Sequence, residues 1–137
     1  MRLITLVFFI SFAACSANTI NVPKTCNIAN KHGCVASAFC DKRGLQGIDC
    51  IIGLYHEAAI YEETADKLVL SSFPSNAQFE YRQSLTLLEA AKENLKNLLL
   101  ADFNAFKYNY ENHLMNKLES RLKAVGNKLN RCNNRGW

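Results

Sequence analysis

Proline is scarce in this chain, with two residues in 137, and glycine contributes only six. Such contents exclude a collagenous, low-complexity or repeat-built protein. No segment sustains an alternation of apolar and polar residues, so a sheet-based domain is not expected. Long apolar runs are missing as well. The longest, Leu3 to Ala14, falls well short of the ~20 residues that cross a bilayer, so no membrane span is expected. A glycine-rich loop of the kind that cradles phosphate is also missing. What remains is an ordinary globular composition, 49% hydrophobic, 20% charged and 10% aromatic, with a formal net charge of +4 and six cysteines. A chain of this length buries roughly two thirds of the surface it exposes when unfolded. Its core does not depend on staples, so the cysteines exceed what folding requires.

Met1 and Arg2 make a short positive start, Leu3 to Ala14 is almost unbroken apolar sequence, and Cys15, Ser16 and Ala17 are small. That order reads as a secretory signal peptide over residues 1–17, leaving a single helical domain over 18–137. Phe12-Ala13-Ala14-Cys15 also resembles a lipobox, which would make Cys15 a lipid anchor. Cleavage after Ala17 leaves Cys26, Cys34, Cys40, Cys50 and Cys132 as disulfide candidates in an oxidising compartment. Five is odd. The expectation is two bridges in any of several pairings and one leftover thiol, which could join two copies of the chain. A bridge from Cys132 back to the cluster would close a loop of roughly 80 to 105 residues and contribute ~4 kcal/mol in the chain-entropy model.

Helical spacing dominates the rest. Residues 26–39 suggest one or two short helical turns interrupted at Gly33, and Asp41 to Gly47 reads as a loop with two glycines. Ile48, Ile51, Ile52, Tyr55, Ala58, Ala59, Ala65, Leu68 and Val69 then recur at helical spacing, with Glu62 off the pattern and Asp49 placed to cap. Pro74 breaks that helix, and Ser75 or Asn76 offers a cap for the next. From Ser75 to Val125 there is neither glycine nor proline. A straight helix of that span would be ~75 Å long, about twice the width of a compact domain of this size. Asp102 and Asn104 mark the expected break, the alternative being a long helix paired with a second subunit. The fold class expected is all-α: a small bundle of about four helices with a disulfide-rich N-terminal segment.

Catalytic patterns begin in this sequence and do not complete. His56-Glu57-Ala58-Ala59-Ile60 begins like a zinc-binding H-E-x-x-H helix, but Ile60 replaces the second imidazole. Cys26, His32, Cys34 and Cys40 carry zinc-ligating groups at spacings that match no zinc pattern. No cysteine has the surroundings of a nucleophile. Glu62 and Glu63, or Glu89 and Glu93, might be paired carboxylates for glycosidic chemistry, yet Glu89 and Glu93 lie beside Lys92 and Lys96 as a solvated helix face would. The expectation is a non-enzyme with no cofactor and no metal. Between Leu114 and Trp137, six Lys and Arg face Glu119 alone, a solvated basic face or a patch for an acidic partner; nucleic acid is not expected.

Partner binding is the remaining chemistry. The loop holding Arg43, Leu45 and Gln46 lies between Cys40 and Cys50, so both stems are anchored however the cysteines pair. A loop ordered in advance binds at lower entropic cost, which suits insertion into a cleft. Phe73 beside Pro74, and Arg135 with Trp137 near Cys132, are further anchors of types enriched at binding hot spots.

The export segment Met1 to Ala17, the cluster Cys26, Cys34, Cys40 and Cys50 with distant Cys132, and the small helical body together resemble periplasmic immunity proteins of type VI secretion systems. More narrowly, the layout is similar to those that neutralise a lysozyme-like effector attacking peptidoglycan. The resemblance covers the whole chain in layout. It implies a periplasmic inhibitor that occupies the effector's substrate cleft, often as a dimer, and contributes no catalytic residues. On that reading Leu45 fills an apolar sugar subsite, Arg43 or Gln46 meets the catalytic carboxylate, and Phe73, Arg135 and Trp137 flank the plug. From other classes, the chain could be a helical carrier of a small apolar ligand, or an envelope lipoprotein held through Cys15.

Overall fold

The computed structural model describes residues 31–134. Helix α1 spans Lys31–Cys40, α2 Gly47–Leu70, α3 Pro74–Ala101, α4 Phe103–Asn112 and α5 Leu114–Asn134, with a short 3-10 turn at Asp41–Arg43. The fold is all-α, and no strand occurs among the described residues. Residues 1–30 and 135–137, over which the signal peptide is expected and which include Cys15, Cys26, Arg135 and Trp137, lie outside them.

Helix α3 is the spine. Its buried face, Ala77, Tyr81, Ser84, Leu87, Leu88, Ala91 and Leu95, receives α1, α2 and α5. Small residues set the closest approach: Ala58 and Ala65 of α2 are fully buried, and Ser84 Oγ donates to the Ala58 carbonyl at 2.7 Å. That bond satisfies the one fully buried hydroxyl among the described residues without opening the helix ladder. Against this seam α1 adds Val35, Ala36 and Phe39, α2 adds Ile51 and Leu54, and α5 adds Leu114, Leu118 and Val125.

Several local expectations change. Helix α1 runs through Gly33 without interruption, because one glycine weakens a helix by only ~1 kcal/mol and the packing of Val35, Ala36 and Phe39 outweighs that. Asp49 does not cap α2; Gln46 holds the cap position with extended backbone, and Asp49 sits in the first turn, where its charge suits the helix dipole. Pro74 starts α3 rather than preceding it, since a first-turn residue needs no N–H to donate, and Phe73 takes the cap position expected for Ser75 or Asn76.

The expected break falls at Asp102, whose backbone is extended and whose carboxylate accepts from the Asn104 N–H at 2.9 Å. A second break, which no residue type announced, falls at His113 with φ 52°. There Asn109 Oδ1 accepts from the Met115 N–H at 2.7 Å, satisfying a donor at the start of α5. Two breaks replace the long helix and return α5 to α3.

Candidate functional site

The loop between α1 and α2 is held from four directions. Cys40 and Cys50 form a disulfide across a Cα separation of 5.6 Å. The Leu45 N–H donates to the Cys40 carbonyl at 3.1 Å, and the Gly44 N–H to the Asp41 carbonyl at 3.3 Å. Gly44 and Gly47 adopt φ of 66° and 57°, the left-handed region where a side chain would be strained, and this is why the two glycines stand here. Arg43 Nη1 donates to the Phe39 carbonyl at 2.7 Å, while its guanidinium carbon stacks 3.8 Å from the centre of the Phe39 ring.

Leu45 provides the fourth hold. It is half-buried against the core instead of extended toward solvent. Gly53 makes room for it: a Cβ at that position would lie 2.8 Å from Leu45 Cδ1 and 3.3 Å from Phe39 Cε2. Leu45 is thus the foot of the loop, whereas the sequence suggested its tip. Lys42, Arg43 and Gln46 are exposed. With Asp41, also exposed, the loop presents two cations and an amide beside one carboxylate on a fixed backbone, a net positive surface with donors suited to carboxylates.

Phe73 is 55% exposed at the turn between α2 and α3. It lies beyond the opposite end of α2 from the loop, and the 24 residues of that helix span about 36 Å at 1.5 Å per residue. The structure does not bring Phe73 beside the loop, so it is no flank to it.

Compared with known protein families, curated proteins and solved structures, the chain matches none.

Cysteine usage resolves in part. Cys34 is disulfide-bonded, as are Cys40 and Cys50, which removes the thiolates that a zinc site at Cys34 and Cys40 would need. Among the described residues Cys132 is the free thiol, 1% exposed, and burial pushes its pKa above the ordinary value. It makes no bridge back to the cluster, in contrast to its place among the disulfide candidates.

The polar cluster that the sequence did not reveal ties α2 to α5. Lys128 Nζ meets Glu62 Oε2 at 2.7 Å and both Asp66 oxygens at 3.0 and 3.1 Å, while Arg121 Nη1 reaches the Glu62 oxygens at 3.3 and 3.4 Å. Tyr81 of α3 donates to Asp66 Oδ1 at 2.7 Å. Burial pushes the Tyr81 phenol up, and the hydrogen bond to Asp66 pushes it further. Glu62 is buried while Glu63 is exposed, so the two do not form a carboxylate pair. Glu93 pairs with Lys96 as expected, but Lys92 reaches across to Glu119 of α5 at 3.4 Å. A shallow groove of about 410 Å³ lies beside the cluster, with Tyr55, Lys117, Ser120 and Arg121 in its lining. Its innermost cation, Arg121, is already matched by Glu62.

Proposed function

We propose that this chain is a periplasmic immunity protein: an exported, non-enzymatic inhibitor that binds a lysozyme-like peptidoglycan hydrolase and blocks its cleft. The observation that supports this reading is the loop 41–46, pinned by the Cys40–Cys50 disulfide and by Leu45 packed into the core, with Lys42, Arg43 and Gln46 facing outward. Hydrolases of glycosidic bonds work with two carboxylates in a cleft. A rigid projection carrying guanidinium, ammonium and amide donors complements that cleft in charge, and its ordering cost is met during folding rather than on binding. Arg43 and Gln46 are the contacts to the acidic pair, and Leu45 acts by fixing their position.

The carrier alternative is less well supported. Leu87, Leu88, Leu95 and Leu118 are fully buried in contact with one another's helices, whereas Phe103 and Phe106 face solvent, so these stripes do not line a common cavity.

The test is inhibition. A peptidoglycan hydrolase recovered on the immobilised chain from envelope extracts is assayed on purified peptidoglycan with increasing amounts of the chain. Inhibition complete near equimolar chain supports the reading; recovery of no hydrolase, or a hydrolase fully active in excess chain, overturns it.

A further inference from the structure

Helices α2 and α5 each pack on α3 rather than closely on each other. Long side chains bridge the gap they leave, Arg121 to Glu62 and then Lys128 to Glu62 and Asp66. Between Arg121 and the start of α5 no ion pair among the described residues crosses it, and the groove of about 410 Å³ opens there. On the α5 side Asn116 and Ser120 stand at i and i+4, and Lys117, Arg121 and Ala124 at i, i+4 and i+7. Helical spacing therefore turns all five toward one side of the helix, with Tyr55 of α2 opposite. Asn116, Lys117 and Ser120 are exposed and form the rim, while Tyr55, Arg121 and Ala124 are half-buried and form the floor.

Every polar group of this lining can donate a hydrogen bond, and no carboxylate belongs to it. Burial acts to lower the Arg121 pKa and is outweighed by Glu62 and by a hydrogen bond to Tyr55. A guanidinium only donates, so the Tyr55 oxygen accepts and keeps its own proton to give. On the face of α2 that turns to α5, the acidic residues are Glu62 and Asp66, and both are engaged by Arg121 and Lys128. Asp49, Glu57 and Glu63 stand off that face, and none of them lines the groove. Glu119, the one acidic residue of α5, pairs with Lys92 of α3. Lys117 has no carboxylate partner among the described residues. The groove thus holds one positive charge in excess, which a monoanion neutralises and a phosphate monoester, at about −1.5 to −2, overshoots. Between the donors, the Tyr55 ring and the Ala124 methyl offer contact to an apolar or ring-shaped body.

We propose that the groove between α2 and α5 is a binding site for a small monocarboxylate with a ring or apolar body. The carboxylate lies between Lys117 and Arg121, Asn116 and Ser120 donate from the rim, and the body covers Tyr55 and Ala124. The site shares no residue with the loop 41–46, so carboxylate binding and inhibition of a hydrolase fail separately.

Nuclear magnetic resonance of the nitrogen-15-labelled full chain, titrated with phenylacetate, phenylacetamide, phenyl phosphate and a capped acidic tetrapeptide, tests this. Phenylacetate shifts the amides around Tyr55 and from 116 to 124 saturably, with a roughly millimolar dissociation constant. Phenylacetamide, the same body without the charge, binds about tenfold more weakly or less. Phenyl phosphate binds no more tightly than phenylacetate. Lys117→Gln, a change at an exposed position, weakens phenylacetate about fivefold. Ala124→Leu keeps every charge but fills the floor, and it removes the saturable shifts. A parent that phenylacetate does not shift, shifts that fall outside the groove, or an amide or phosphate that binds as tightly as or more tightly than the carboxylate, respectively, would overturn the proposal. So would a groove that takes the tetrapeptide but not phenylacetate, or a folded variant of either kind that binds like the parent.

Discussion

Glu62 is an acidic residue in the middle of an apolar helix face, and it earns its place by taking one ion pair from each of two cations on α5. Removing it leaves Arg121 without its carboxylate and Lys128 with Asp66 alone. Broken buried pairs cost ~3 to 5 kcal/mol, but these cations reach solvent, so Glu62→Ala should destabilise the chain by about 2 kcal/mol in urea unfolding. A pH dependence follows from the same region. Burial raises the Tyr81 phenol and the Cys132 thiol, whereas for Lys128 burial acts downward and is outweighed by Glu62 and Asp66. In each case folding favours the protonated form. Their ordinary values are 10.0, 9.0 and 10.5. The contribution is therefore complete below about pH 9 and is lost as pH rises through and beyond these values. Melting temperature should hold steady from pH 7 to 9 and fall from pH 9 to 11. Glu62 was visible in the sequence as the residue that broke the stripe. Its partners were not, because a pairing across 59 and 66 residues leaves no local pattern.

At the level of elements, local chemistry was legible wherever it acts within one turn. The apolar spacing of α2 and α3, the glycine turn at 44 and 47 and the break at Asp102 each rest on neighbours in sequence. The break at His113 does not: histidine is enriched in the left-handed region but adopts it in few instances, and Asn109, which satisfies the Met115 N–H, is a side chain of the preceding helix. The inward turn of Leu45 was not legible for a related reason. Whether a loop leucine points outward or inward depends on the space over Gly53, eight residues later and on another element. Asp102 carries the clearest element-scale prediction. Its carboxylate caps α4, so Asp102→Ala should lower stability by ~1 kcal/mol in a denaturant titration, and Asp102→Asn should restore most of the loss.

Across the whole molecule, three surfaces are separated by the bundle itself. The donor-rich loop precedes α2, Phe73 follows it, and the aromatic face of α4 lies beyond the end of α3. Charge divides along the chain as well, acidic from residue 41 to 95 and basic after it. Composition had shown the basic C-terminal end, but not that an outward aromatic helix stands within the same basic stretch, because the burial of Ala105 rather than Phe103 is decided by tertiary packing. The central claim concerns the loop. It is tested most directly by titrating the recovered hydrolase, on peptidoglycan, with the parent chain and with an Arg43→Glu/Gln46→Ala variant whose melting temperature matches it. The account predicts that the variant needs at least tenfold more protein for half inhibition; equal inhibition by the two would contradict it.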